Sequence, residues 1–562
     1  MSKSIKIVHN AVKAAMVEPD RDARLLVNEL LSYKIESGIK GMGIAHGSMF
    51  DMAKNQFPTG FVRVVQKKLE QAGYRVMVQS KQAPAPKGPE LPVVSGFAPD
   101  PKYSYQPETM DRLVKLKRMI AQIATGGGKS EVFKLCCERL QLPTLFITTR
   151  KSLMYQMATG YKTAMSRRPI GILGDGKWDP QPGGVNFAIV DTLVSRMEET
   201  SVEIELDKIA TKQAALIESK IDEILKKAHL PTNPSILKKA DQDTLDKIVR
   251  VKKAVNAKFA LDNAATLAKA EAAYKRKKAL RDETVAFLES VEFLCLEEAH
   301  EVSGTGFFEL CNAMKNAHYR LALTATPNMK DSEEANMRLT AVTGPIGIKV
   351  SEKTLIDLGI LAKPIFKFVT SKAPTNVVRG TAFPTAYERG IVKNAGRNLQ
   401  ILEEVKRAKQ RGLTAMILVQ RTDHGNVLKN LLKAAGIKVD FIQGENDQAA
   451  RQAALDKLGA GTIDALIGTS ILDVGVDCPA VGMMILAGGG KAEVAVRQRI
   501  GRGLRRKKKG PNICYVVMFH DNWNNHTNSH SLECKRIILD TPGFCENIVT
   551  VFDFEGDGFP AL

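Results

Sequence analysis

The sequence predicts an α/β protein built on two parallel sheets, with a small mixed α/β unit in front and a helical insertion in the first sheet's domain. Three observations predict it. A glycine-rich loop, Ala124-Thr125-Gly126-Gly127-Gly128-Lys129-Ser130, stands between an apolar run at Met119–Ile123 and a helix-like Glu131-Val132-Phe133-Lys134-Leu135. Short apolar runs of strand length alternate with helical segments over residues 102–200 and again over 360–520, the pattern of strand-helix-strand units. At 562 residues the chain is also too long for a single core.

Residues 1–88 read as the small unit. Leu25, Leu26, Leu30 and Leu31 give helical spacing from Asp20 to Tyr33, and Phe61 to Ala72 forms a second helix stopped by Gly73. Tyr74–Val78 follows as a strand. Pro84, Pro86, Pro89, Pro92, Pro99 and Pro101 then mark a semi-rigid linker and a domain boundary.

Residues 102–355 form the first larger domain, with strands at Met119–Ile123, Thr144–Thr148, Phe187–Val190, Val291–Leu296 and Arg320–Leu323. Residues 201–288 interrupt it. There Ile217, Ile221 and Ile224, then Ile248, Val251, Val255 and Phe259, recur at three-to-four spacing among Lys, Glu and Ala. Pro231 and Pro234 separate the two series, so a long helical hairpin or small bundle is expected. Its basic clusters, Lys252-Lys253 and Lys275–Lys278, suit a solvated face, a nucleic-acid arm or a surface for a protein partner. Residues 356–562 hold the second sheet, with strands at Ala415–Val419, Val439–Ile442, Ala465–Ile467, Met483–Leu486 and Cys514–Met518, and a C-terminal tail.

Bulk composition narrows the function classes. The chain is 44% hydrophobic and 25% charged, an ordinary soluble composition, but its net charge is +20. Such an excess points to a polyanionic partner, nucleic acid before an acidic membrane surface. No run is long enough to cross a bilayer, and Met1–Met16 lacks the apolar core of a signal peptide. A cytoplasmic protein without a membrane partner is expected. The eight cysteines include no Cys-x-x-Cys pair, which argues against a zinc site or a disulfide framework.

The chemistry lies at strand ends. Gly126, Gly127 and Gly128 allow backbone N–H groups to turn toward a polyphosphate, Lys129 adds charge at the β- and γ-phosphates, and Ser130 can hold Mg²⁺. Leu294-Cys295-Leu296-Glu297-Glu298-Ala299-His300 puts two carboxylates at the tip of an apolar strand. One acid can hold the metal shell while its neighbour orients and deprotonates water. Thr324-Ala325-Thr326 ends the next strand, and Thr469-Ser470 through Asp473, Gly475 and Asp477 follows a strand of the second domain. Gln498-Arg499-Ile500-Gly501-Arg502-Gly503-Leu504-Arg505 spaces its arginines by three, on one helical face. Each piece alone is an ordinary turn or a solvated strand end.

Their order is not ordinary. The series ATGGGKS, EEAH, TAT, Thr-Ser/Gly-x-Asp and QRIGRGLR resembles superfamily 2 helicases and translocases with two RecA-like domains, over about residues 102–520. The resemblance implies that Glu297, Glu298, His300, Lys129, Arg502 and Arg505 are catalytic. It implies an ATP site of Tyr105, Gln106, Thr125, Gly126, Gly127, Gly128, Lys129, Ser130, Gly475, Asp477 and Gln498, with Mg²⁺ on Ser130 and Glu297. Arg150, Thr192, Gln420, Arg421 and Thr469 would contact nucleic acid, and Thr354–Pro364 would cross between the domains.

Phe57-Pro58-Thr59-Gly60-Phe61, with Ala72-Gly73-Tyr74, is similar to the N-terminal domain of phage UvsW-type DNA helicases, and the tail from Phe519-His520-Asp521 to Arg536 resembles the same group. That likeness implies a monomeric, ATP-dependent DNA helicase or translocase acting on single-stranded, forked or branched DNA in a bacterial host cell, in recombination, repair or replication. An RNA helicase is the enzymatic alternative, and a poorly hydrolysing ATP-dependent nucleic-acid-binding switch the other. Two departures stand out. Glu297 occupies the position of the family's usual Asp, and Thr192 lies 105 residues (297 − 192) before it.

Overall fold

The structure, a computed structural model, describes residues 3–35, 45–94, 100–164, 168–231, 242–299, 304–327, 332–444, 448–469, 481–489, 493–507 and 510–559. It divides into two compact units, Met1–Val190 with Val291–Leu562, and Asp191–Ser290.

The N-terminal sheet joins β1 (Ser4–His9), β2 (Lys13–Val17), β5 (Gln56–Pro58) and β6 (Arg75–Ser80) in the order β5-β2-β1-β6, while β3 (Ser32–Ile35) and β4 (Ala45–Ser48) pair as a separate ribbon. Alternation drives it: Ile5 and Ile7 of β1 point into a core shared with Val27 and Val65. The first helix is shorter than the sequence suggests. Asp20 caps it by accepting from the Ala23 N–H at 2.8 Å, and it ends at Leu30, so that Tyr33 stands in β3.

This unit is fastened to the first large domain. Ala341, from the helix Glu333–Thr343, completes its core, and a Cβ on Gly60 would lie 1.9 Å from the Thr340 carbonyl oxygen. The proline-rich stretch does not act as the expected spacer between them. The Lys87 and Gly88 N–H groups donate to the carbonyls of Leu140 and Arg139, both at 3.1 Å, and the Tyr319 hydroxyl donates to the Pro84 carbonyl at 3.0 Å. Prolines fix an extended backbone with few donors, and the neighbouring domain satisfies the groups that remain.

The first large sheet contains β7 (Arg118–Ile123), β8 (Thr144–Thr148), β9 (Ile170–Gly174), β10 (Lys177–Asp179), β11 (Val185–Ile189), β12 (Phe293–Glu297), β13 (Tyr319–Thr324) and β14 (Ile346–Val350). Its order is β10-β9-β11-β8-β12-β13-β7-β14, parallel except for the β9–β10 pair. Phe133 of the helix Lys129–Leu140 packs edge-on to Phe146 and Phe187, with ring centroids at 4.8 and 5.9 Å. This aromatic cluster sets the helix, and the loop before it, against the sheet.

The second large sheet contains β15 (Lys363–Thr370), β16 (Thr414–Leu418), β17 (Val439–Ile442), β18 (Ala465–Gly468), β19 (Val481–Leu486), β20 (Ile513–His520) and β21 (Ile548–Val549). These strands run parallel in the order β17-β18-β16-β19-β20-β15-β21. Two parallel sheets flanked by helices are the RecA-like pair that the motif order implied.

In the unit Asp191–Ser290, three helices, Val202–Lys227, Gln242–Lys258 and Asn263–Glu289, form a small bundle. Ile221, Leu225, Ile248 and Val255 make its core, with Ile217, Val251 and Phe259 packed against it. Ile224, expected inside, is 39% exposed. The buried stripe runs Ile217–Ile221–Leu225 in steps of four, which turns Ile224 outward. Lys277 Nζ reaches both carboxylate oxygens of buried Glu205, at 2.7 and 2.9 Å, and joins the first helix to the third. Because this unit has its own core, replacing residues 205–285 with a short Gly/Ser linker should leave ATP affinity within about twofold of wild type, as titrated with a fluorescent nucleotide.

Candidate active site

The phosphate loop leaves β7 after Ile123, and Gly128 stands at the N-terminus of the helix Lys129–Leu140 in the left-handed region, at φ 73° and ψ 39°. Gly126 is also left-handed, at φ 91°. Side chains rarely adopt this conformation, so glycine is the residue that fits. The Tyr105 hydroxyl donates to the Gly127 carbonyl at 2.7 Å, and burial pushes its pKa up. A Cβ on Gly128 would lie 2.5 Å from Gln106 Nε2. Tyr105 and Gln106 therefore brace the loop as well as flanking it.

The two acids end β12, which is not the immediate neighbour of β7. β13 lies between them. The registers Glu297↔Leu323 and Thr324↔Gln122 put the Thr324-Ala325-Thr326 turn between the phosphate loop and the acids. Gln122 Nε2 donates to the Ala325 carbonyl at 3.3 Å, and the Thr326 N–H to Thr324 Oγ1 at 3.1 Å. Side-chain length bridges the gap, since Lys129 Nζ stands 3.8 Å from Glu298 Oε1. Glu298 itself has φ 47°, a conformation costing about 1–3 kcal/mol that is characteristic of functional sites.

Glu297 is buried, and its Oε2 has no hydrogen-bond partner among the described residues. Burial pushes its pKa up to about 8, with Lys129 opposing and the like charge of Glu298 adding. A buried carboxylate with an open oxygen beside a phosphate loop is the donor that a hard divalent cation needs. Glu297, together with the Ser130 hydroxyl, could hold Mg²⁺. The same fit suggests that Glu297→Asp will retain ATP turnover within about tenfold in a steady-state assay, because bridging water adjusts the reach of a metal-bound carboxylate.

The second domain closes on this loop. The helix Glu493–Gly503 brings Gly501 so near that a Cβ there would lie 2.8 Å from Thr125 Cβ. Arg505, just past it, reaches the loop, where a Cβ on Gly126 would meet its Nη1 at 3.2 Å. Arg497 Nη1 pairs with Glu352 Oε1 at 3.2 Å, across the crossover between the domains. Arg502 is half-buried on the same helix. Gln498 belongs to that helix, but its side chain, like His300, Gly475 and Asp477, lies outside the described residues.

The expected nucleic-acid residues follow other strands. Arg150 comes after β8, its N–H donating to Thr148 Oγ1 at 3.4 Å. Gln420 and Arg421 follow β16. Gln420 Nε2 donates to the Gly489 carbonyl at 2.8 Å, and Arg421 pairs with Asp423. Thr469 is buried after β18, and Thr192 lies on the helix Val190–Met197.

The tail segment contributes a group that sequence reading did not assign. Asp521 accepts from Arg397 Nε and Nη2, at 2.9 and 3.2 Å, while Arg397 Nη1 donates to the Ala487 carbonyl at 2.8 Å. Arg397 is fully buried, with its guanidinium 4.4 Å from the Phe519 ring centroid. The bidentate pair ties the ends of β19 and β20 together. A single Arg more than a hundred residues from its Asp leaves no signal in one sequence.

Residues 101–329 match the family model described as type III restriction enzyme, res subunit, and residues 397–507 match the helicase conserved C-terminal domain. The chain belongs to the superfamily 2 helicases. A helicase-named protein of Sulfolobus islandicus filamentous virus (isolate Iceland/Hveragerdi) is 23% identical over 267 residues, 44% of this chain and 46% of that protein. A relative from Halobacterium salinarum, named for the DNA 3'-5' helicase Rad25, is 29% identical over 199 residues, 34% of this chain and 31% of that protein. The chain thus spans less than half of each of these relatives. The crystal structure of T4 UvsW matches at 14% identity over 97% of this chain and 98% of that chain, with a TM-score of 0.39.

Proposed function

We propose that this superfamily 2 protein is an ATP-driven DNA helicase or translocase that remodels forked or branched DNA. The observation that carries the reading is the closure of the phosphate loop by the second domain, through Gly501 and Arg505. A nucleotide held there touches both RecA-like domains, so its hydrolysis can change their separation. Lys129 neutralises the polyphosphate, and Glu298 takes the proton of the attacking water. Arg505 meets charge developing on the γ-phosphate. Mg²⁺, held by Ser130 and Glu297, would supply charge neutralisation between the phosphates. Residues 102–355 and 356–562 act as the two halves of the motor, with residues 1–88 carried on the first half. Arg150, Thr192, Gln420, Arg421 and Thr469 contact the strand.

The net charge of +20 supports a nucleic-acid partner, and the choice of DNA is supported by a relative named for a DNA 3'-5' helicase. A protein that tracks phosphates reads little sequence. The test is steady-state ATP turnover with single-stranded, duplex, forked and four-way DNA and with RNA. Forked or four-way DNA should stimulate most. Greater stimulation by RNA would reassign the substrate, and a rate indifferent to every nucleic acid would overturn the motor reading.

A further inference from the structure

A second charged cavity lies on the side of the first large sheet away from the phosphate loop. Arg118 opens β7 while the phosphate loop follows its last residue, so the two are separated by the strand's length, roughly 20 Å at about 3.3 Å per residue. The cavity, of about 590 Å³, lies between the N-terminal unit and the first RecA-like domain. Its ionisable lining consists of His9, Arg63, Lys81, Lys117, Arg118 and His318, with no carboxylate among the described residues that line it.

Arg118 makes this cavity more than a basic surface. It is 8% exposed, and although its Nη2 donates to the Ala11 carbonyl at 2.9 Å, its Nη1 has no partner among the described residues. Behind it, in register on β13, Arg320 is also buried, and its partners among the described residues are the carbonyls of Ala317, Cys311 and Met314. Two adjacent buried guanidiniums with no carboxylate bonded to either among the described residues leave net positive charge here, and Arg118 has a donor unused as well. Burial and the nearby cations also hold the His318 imidazole below its ordinary pKa. An anion in the cavity would offset the charge of Arg118 and of the cations that line it with Arg118, and a planar guanidinium fork favours phosphate.

We propose that this cavity is a phosphate-binding site, separate from the ATP site, that takes the oxyanion of a phosphate ester or of inorganic phosphate. Its place at the seam between the N-terminal unit and the motor means that an occupied site clamps the two together. The phosphate can come from a nucleic-acid backbone or from a small molecule.

The experiment uses the full chain and inorganic phosphate as the probe, followed by thermal unfolding against matched chloride. Phosphate also fits the phosphate loop, so the measurement is made in a Lys129→Ala background. Stabilisation by phosphate should persist there. Adding Arg63→Ala with Lys81→Ala should weaken the apparent phosphate affinity at least tenfold, as should Arg118→Met. The rim pair keeps the test valid if Arg118→Met does not fold, because both rim residues are exposed. A second arm measures forked-DNA binding against salt concentration. A slope reduced by about one per lost contact in the rim variant marks a backbone phosphate as the source. An unchanged slope with lost phosphate stabilisation marks a small molecule. If the rim variant keeps both the phosphate response and the salt slope, the proposal is overturned. The ATP-site reading is scored separately, by ATP turnover of the rim variant in a wild-type Lys129 background.

Discussion

Lys129→Ala should abolish ATP turnover, and Glu298→Gln should bind ATP with near wild-type affinity yet fail to hydrolyse it. The two effects are different in kind. Lys129 contributes a cation that stands 10% exposed beside Glu298, in a loop whose Gly126 and Gly128 hold the left-handed conformation. Removing it takes away ground-state and transition-state binding together, so the Kd for nucleotide should rise along with the loss of rate. Glu298 is held at φ 47° at the tip of β12, where its carboxylate can accept a proton from water but adds little to nucleotide affinity. Its amide substitute keeps the shape and loses the base, at a cost of ~10²–10⁴ in kcat. Nucleotide binding by fluorescence and turnover by phosphate release separate the two cases. Normal turnover in either variant would remove that residue from the chemistry.

The strands that carry the site were legible because their signals are local. Met119–Ile123, Leu294–Glu297 and Leu321–Thr324 are short apolar runs, each followed at once by its functional group. The strands β9 and β14 were not read. Gly171 and Gly174 look like turn residues, yet they stand within β9, where a Cβ on Gly171 would lie 2.1 Å from Asn186 Oδ1 of β11. The demand that glycine meets there comes from a strand paired later in the chain. The same holds for the docked prolines at 84–89, whose partners are the helix Lys129–Leu140 and Tyr319. Motif order indicated a second domain, but the identity of the arginine nearest the phosphate loop depends on tertiary geometry.

That geometry yields the other large effect. Arg505→Ala should lower kcat for ATP by ~10³-fold, whereas Arg502→Ala should cost less. Sequence spacing treats the two alike, three apart on one helical face. The structure separates them, because the helix ends at Gly503 and the backbone of Arg505 bridges Leu361 in the crossover between the domains. The Ala362 N–H donates to the Leu504 carbonyl at 2.7 Å, which pins the same turn. A backbone so held fixes the point from which the guanidinium reaches the phosphate loop. Gly126 leaves the space that the guanidinium uses, since a Cβ there would crowd both Leu361 Cδ2, at 2.7 Å, and Arg505 Nη1. Gly126→Ala should therefore impair hydrolysis too, through loop strain at φ 91° as well as displacement of the arginine. Arg505→Lys is the discriminating variant. It keeps the charge but loses the planar fork, so it should recover only a small part of the lost rate while nucleotide affinity stays near wild type. A full recovery would mean that charge alone is needed, and a larger loss for Arg502→Ala than for Arg505→Ala would move the role to Arg502.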